Sequence, residues 1–214
     1  MGFISKGYYV YFLEGVKWTL IVSLLAVIFG VILGMGLTLL KRSRFKVFNI
    51  IASTYIEIIR GTPLLLQIWF VYFGIGGIID IPAVPACIIA LSLNSAAYVS
   101  ELIRAGIEAV DKGQMEAARS LGMSQGTAMR LIILPQAIKN ILPAIGNEFV
   151  AIIKESSMAS TLGVAELMYA AKVTGSKSFA YIETLSIAGI FYFIMTFSLG
   201  RLMKYIERRM KVSD

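Results

Sequence analysis

Two pairs of polar residues interrupt stretches that are otherwise almost wholly apolar. Asn94 and Ser95 sit in "ALSLNSAAYV", and Asn147 and Glu148 sit in "IGNEFVAIIK". An amide, a hydroxyl and a carboxylate can hydrogen-bond a polar solute, and the carboxylate can attract a cation. They form no nucleophile–base set. The chain has no histidine, and its one cysteine, Cys87, lies in an apolar run. An intrachain disulfide is therefore excluded, and a zinc or haem site has no ligand set. No G-x-x-x-x-G-K-[ST] sequence occurs, so nothing here cradles nucleotide phosphates. The chemistry on offer is recognition of a solute rather than covalent change. A third constellation differs from both pairs: "EAARSLGMSQGTAMRLIILP", Glu116–Pro135, is compact, charged and rich in small residues.

These residues must be positioned by membrane helices. Of 214 residues, 57% are hydrophobic and 15% are charged, against about 25% charged in soluble domains. Trp18–Leu40, Gly61–Ile79, Ile81–Ser100 and Thr184–Gly200 carry no charge, and a spanning helix needs about 20 apolar residues. The pattern predicts an all-α integral membrane fold with five crossings. Span one covers about residues 16–40. Span two follows Val47–Arg60 and a break at "RGTP", and is completed by Leu64–Ile79. Span three runs from about Ala83 to Ile107, span four from Pro135 or Gln136 to about Ile153, and span five from Tyr181 to Met203. Gly30, Gly34 and Gly36 in span one include a GxxxG, which predicts close helix packing. Residues 1–214 read as one transmembrane domain with a loop at about 108–135. Met1–Lys17 lacks a signal-peptide pattern, and Tyr8, Tyr9, Tyr11, Phe12 and Trp18 read as an interfacial aromatic segment.

Depth separates the polar pairs from the surface. Asn94 lies eleven residues beyond Ala83, roughly 16 Å at 1.5 Å per residue, near the middle of a core about 30 Å thick. Glu148 lies twelve residues beyond Gln136, at similar depth. Asn94, Ser95, Asn147 and Glu148 are therefore candidates to line a solute pathway. The alternative for Asn94 and Ser95 is hydrogen bonding between packed helices. For Glu148 it is pairing with a basic residue of another helix. Glu57/Arg60 and Glu101/Arg104 are spaced for local i,i+3 ion pairs.

The net charge of +7 is a topology signal. Lys41, Arg42, Arg44, Lys46, Arg104, Lys112, Arg119, Arg130, Lys139, Arg201, Lys204, Arg208, Arg209 and Lys211 fall on one side of the five crossings. Lys6, Lys17, Lys154, Lys172 and Lys177 fall on the other. Basic loops face the cytoplasm, so the N-terminus is expected outside, the C-terminus inside, and the Glu116–Pro135 segment in the cytoplasm. No basic patch with stacking aromatics suggests nucleic acid.

Just ahead of that segment Asp111 is placed to cap a helix that runs into it over Lys112–Leu121, with Gln114 completing a capping box and Gly122 ending the helix. Met115, Ala118 and Leu121 recur every third residue, with Ala117 beside them. Ser124 begins a second helix toward Pro135. A short apolar-striped helix of this kind lies either on lipid or in a partner's groove. Its alanines argue against lipid, since membrane-surface helices favour Trp, Phe and Leu.

The order Glu116-Ala117-Ala118, three residues, Gly122, nine residues, Ile132-x-Leu134-Pro135 resembles the EAA loop of ABC-importer permease subunits. "RGTPLLLQIWFVYFG", "LNSAAYVSELIRAGI" and "NEFVAIIKESSMASTLGVAEL" are similar to the branch that imports polar amino acids, of the histidine, glutamine and arginine type. The resemblance implies a multi-pass bacterial cell-membrane protein that forms the translocation pathway for a polar amino acid. It also implies that Glu116, Ala117, Ala118, Leu121 and Gly122 form the coupling helix that docks on a separate ATP-binding cassette ATPase. Further implied partners are a second permease subunit in a homodimer, an extracytoplasmic solute-binding protein and the lipid bilayer. ATP and Mg would be bound by the ATPase, with no cofactor in this chain. A carboxylate at Glu148 suggests a cationic substrate of the arginine, lysine or histidine class. A self-sufficient secondary carrier or channel is the competing reading, but one break at "RGTP" without a second copy gives it little support. A membrane-embedded enzyme finds no catalytic set.

Overall fold

The computed structural model of the protein describes residues 7–211; Lys6, counted above among the outer charges, lies outside them. Among the described residues every regular element is a helix and there are no strands. The elements are α1 (Tyr9–Lys41), α2 (Lys46–Gly61), α3 (Leu64–Ile79), α4 (Ala83–Glu108), α5 (Lys112–Ser120), α6 (Gln125–Leu162), α7 (Leu167–Ser178) and α8 (Tyr181–Lys211). Four of them, α1, α4, α6 and α8, are long and apolar enough to cross a membrane, or five when the bent pair α2–α3 is counted as one span.

The bundle is organised on the α1–α4 contact. A side chain at Gly30 would meet Ser95 Cβ at 2.7 Å, and one at Gly34 would meet the Ala96 carbonyl oxygen at 2.9 Å. Absence of a Cβ is what lets the two backbones approach, as the GxxxG spacing predicted. Gly36 meets nothing and is outside the contact. Around this seam Val22 and Ala26 of α1 pack with Ile68 and Val71 of α3, Ala86, Cys87 and Leu91 of α4, and Ile152 of α6. Thr38 extends the seam, donating to the Gly34 carbonyl at 2.8 Å and standing 3.1 Å from the Ser100 hydroxyl.

Several elements depart from their expected bounds. Helix α1 starts at Tyr9, seven residues before the expected start at about 16. Phe12, read as part of the interfacial aromatic segment, is buried within the chain, stacked on Phe191 at 6.2 Å and packed with Leu167 and Ala188. Span four does not start at Pro135 after a separate helix; α6 is continuous from Gln125. Proline lacks an N–H and would break a regular helix, and the turn ahead of it, Met129–Ile133, is π-helical. That wider turn carries the chain into Pro135 without ending the helix. Helix α7 was not anticipated at all. It is capped by Glu166, whose carboxylate accepts from the Met168 N–H at 2.9 Å, the Tyr169 N–H at 2.7 Å and the Tyr192 hydroxyl at 2.7 Å.

At "RGTP" the chain turns by 111° between α2 and α3. Thr62 is forced extended by the following proline, at φ −121° and ψ 148°. Carbonyls left free by such a break are costly in an apolar setting. The Gln67 amide answers them, donating to the Ile59 carbonyl at 2.8 Å and the Thr62 carbonyl at 3.1 Å.

Gly34→Ala should therefore overpack the α1–α4 seam and cost about 1–3 kcal/mol, read as a lower melting temperature in detergent. Gly36→Ala, with open space at its Cβ position, should melt no lower than the parent. Equal effects at the two glycines would show that the seam does not limit stability.

Candidate functional site

The polar residues singled out above fall into separate environments. Asn94 is buried, and its amide donates to the Gln67 Oε1 at 2.9 Å, tying α4 to the α2–α3 bend. Gln67 thus spends both ends of its side chain. Its role was missed from sequence, although a lone amide four residues after "TP" was a readable signal. Ser95, 0% exposed, is pressed against Gly30 and lies beside the Glu148 carboxyl; its hydroxyl closes no hydrogen bond. Glu148 is partly buried on α6, next to α4.

Asn147 points elsewhere, as adjacent helical residues must. It is exposed and lines a cavity of about 380 Å³ between α4, α6 and α8, shared with Lys139, Asn140 and Glu207. The structure thus brings Ser95 and Glu148 together, joins Asn94 to Gln67, and sets Asn147 apart from all three.

Ion pairing at the basic end of the bundle also differs from the i,i+3 expectation. Arg104 does pair with Glu101, at 2.9 Å, and also with Glu108, at 2.6 Å. Arg60 does not turn to Glu57. It reaches Glu101 at 3.6 Å and stacks over the Tyr98 ring at 5.5 Å, while Glu57 is exposed. Lys41 closes the cluster on Glu101 at 2.8 Å. Glu101 is mostly withdrawn from water, where Coulomb attraction is less screened than at exposed Glu57. One carboxylate therefore joins α1, α2 and α4.

Helix α5 is built largely as its sequence implied. The Asp111 carboxylate accepts from the Gly113 N–H at 2.7 Å. The reciprocal bond from Gln114 is absent among the described residues, so the cap is a single bond rather than a box. At the other end the Met123 N–H donates to the Ala118 carbonyl at 3.1 Å and the Gly122 N–H to that of Arg119 at 3.0 Å. Gly122 is left-handed at φ +84°, so this is a Schellman end that favours glycine. Ser124 caps the next helix through the Thr127 N–H at 3.2 Å.

The apolar stripe, however, is divided. Ala118 is only 5% exposed, and Met115 packs on Val110, Ile133 and Ala137 of the same chain. Leu121, 84% exposed, points away together with exposed Glu116, Ala117, Arg119 and Gly122. The three-residue spacing was read as one docking stripe. Two of its members anchor α5 to its own bundle, because a nine-residue helix is not stable without such packing. The outward face is small, with one large apolar side chain at its tip.

All three basic segments meet at this end. Cavities lined by Lys41, Arg42 and Glu108, by Glu108, Lys112 and Met115, and by Ala109, Lys139 and Glu207 connect the end of α1, helix α5 and the end of α8 to the end of α4.

Comparison with known proteins places this architecture. A family model described as "Binding-protein-dependent transport system inner membrane component" matches residues 26–212. The arginine transport system permease protein ArtQ of Bacillus subtilis is 45% identical, with 95% of this chain and 94% of the relative covered. The putative glutamine transport system permease protein GlnP of Rickettsia conorii is 43% identical over the same shares. In a crystal structure of an amino acid ABC transporter with histidines, one chain superposes with a TM-score of 0.93 at 48% identity, covering 97% of this chain and 98% of that one. A chain of the MetNI methionine ABC transporter, at 19% identity and a TM-score of 0.70, shares the fold.

Proposed function

Since the chain belongs to the binding-protein-dependent transport system inner membrane components, and is the permease component of an amino-acid ABC importer in the bacterial inner membrane, we propose that it couples to a separate ATPase through the outward face of α5 and conducts a cationic amino acid past Glu148. The relatives are transport subunits that do not themselves hydrolyse ATP, so the energy comes from a partner. The coupling reading is carried by Leu121, a large apolar side chain 84% exposed beside Ala117 on a helix whose other face is anchored. A rigid, capped helix with a small outer face fits a groove and transmits displacement to α4 and α6, to which it is joined through Val110 and Ile133.

Two such subunits would enclose the pathway, two ATPase subunits would dock at the basic end, and a solute-binding protein would deliver substrate at the opposite end. ATP-driven closure of the ATPase pair moves the α5 helices, and the pathway alternates between outward and inward access. The N-terminus lies outside and the C-terminus inside, in keeping with the gathering of the basic segments at the α5 end.

Substrate class rests on Glu148. A carboxylate within a membrane helix, partly accessible and with no salt-bridge partner among the described residues, offers a counter-charge for a guanidinium or ammonium group. One relative is named for arginine and another for glutamine, and the charge on Glu148 favours the cationic choice. No observation favours a self-sufficient carrier.

Two variants test the two halves of this reading in proteoliposomes holding the permease, its ATPase and the binding protein. Leu121→Asp should leave the bundle folded but lower transport and ATPase co-purification at least tenfold, the loss of about 1.4 kcal/mol or more of docking free energy. Full transport by this variant would remove the outer face of α5 from the interface. Ala118 is the poorer probe, because a charge there would disturb the chain's own packing. Glu148→Gln should abolish uptake of arginine, lysine or histidine while retaining assembly with the ATPase. Undiminished uptake would take Glu148 out of the pathway.

A further inference from the structure

A second polar feature lies at the basic end, across Ile107 and Glu108 from the α5 cavity and away from the Glu148 region. A cleft of about 360 Å³ opens between the end of α1, the start of α2 and the last turns of α4. Its charged lining is Lys41, Arg42, Arg104 and Glu108, with Asn49 and Ser100 between them. With Arg60 and Glu101 alongside, four cations face two carboxylates. Glu101 and Glu108 are already engaged by Lys41, Arg60 and Arg104. Arg42 is exposed and has no ion pair among the described residues. The first turn of α2 adds unsatisfied N–H groups, because its N-cap, Phe45, provides no side-chain acceptor.

The two segments that supply the cleft, the end of α1 and the start of α2, also carry bare apolar side chains. Leu39 is 73% exposed at the end of α1, and Phe45 and Phe48, edge to face at 6.0 Å, are exposed at the start of α2 with Ile51 one turn further on. A positively charged cleft on segments that also bear exposed aliphatic and aromatic side chains, where a spanning helix ends, suits a molecule that is anionic at one end and hydrocarbon at the other. We propose that this cleft binds the phosphate of an anionic phospholipid, with Arg42 as its unpaired cation and the acyl chains lying along Leu39, Phe45 and Phe48. A free phosphate would use the same cations but would gain nothing from the exposed apolar side chains, so the lipid is the occupant argued for. Bound there, the lipid would bridge α1, α2 and α4 over the Glu101 cluster and stiffen the joint at which α2 departs from the bundle.

The test uses the complex of this chain with its ATPase, transferred to nanodiscs of phosphatidylcholine or of an equimolar phosphatidylcholine–phosphatidylglycerol mixture. Lipid kept on release is counted by native mass spectrometry. The parent should retain phosphatidylglycerol in preference to phosphatidylcholine. Arg42→Gln should reduce that retention about fivefold, the effect of one basic charge at a membrane surface, whereas Arg42→Lys and the distant Arg209→Gln should keep it. Arg42 is exposed and forms no ion pair among the described residues, so the variants should melt with the parent. Equal retention of the two lipids, or unchanged retention in Arg42→Gln, would overturn the proposal. So would displacement of the lipid by inorganic phosphate alone, which would mark a free-anion site. Loss of the ATPase from Arg42→Gln with lipid retention intact would also overturn it, assigning the surface to the protein partner.

Discussion

The close approach of α1 and α4 sets the position of nearly everything that matters here. With no Cβ at Gly30 and Gly34, the α4 backbone comes within contact of α1, at Ser95 and the Ala96 carbonyl. In lipid there is little hydrophobic drive between helices, and association depends on packing and hydrogen bonds. The seam supplies both, ending in the Thr38–Ser100 contact and the Lys41–Glu101 ion pair. It places Asn94 against α3, Ser95 against α6 and Glu101 within reach of α2. The polar residues of α4 are therefore distributed by one packing contact.

A second constraint acts wherever the helices break. Backbone groups inside a membrane protein must find partners within the chain, and here side chains supply them. Gln67 serves the carbonyls freed at Thr62–Pro63 and also receives Asn94. Glu166 caps α7 and holds Tyr192 of α8. Irregularity at Pro135 is absorbed instead by a π-helical turn. These devices let α2 turn sharply away from α3, while α6 runs unbroken from the α5 loop to the far end of the bundle.

Legibility from sequence followed the range of the interactions. The cap at Asp111, the glycine at 122 and the short helix between them depend on neighbours within a few residues, and all three were readable. The close packing at Gly30 and Gly34 was readable because its spacing repeats the helical period. The partners of Arg60 and Asn94 were not readable. Arg60 meets Glu101 and Asn94 meets Gln67 across the chain, and local spacing pointed Arg60 to Glu57 instead. The stripe Met115–Ala118–Leu121 shows the same limit, since spacing identifies a face without saying what covers it.

Composition and charge placement by themselves determined a multi-span membrane protein with unevenly placed basic loops, and the EAA-like pattern carried the resemblance to ABC-importer permeases. These are properties of residue type and order, since an apolar run of spanning length, a basic loop and a short motif retain their meaning in any conformation. Tertiary structure decided which of the marked residues are free to act. It committed Asn94 to Gln67 and Ala118 to the bundle. It left Leu121 bare, set Asn147 on a different face from Glu148, and put a carboxylate at the meeting point of α1, α2 and α4. The reason is that burial and pairing depend on distances between helices far apart in the chain, and those distances are set by packing.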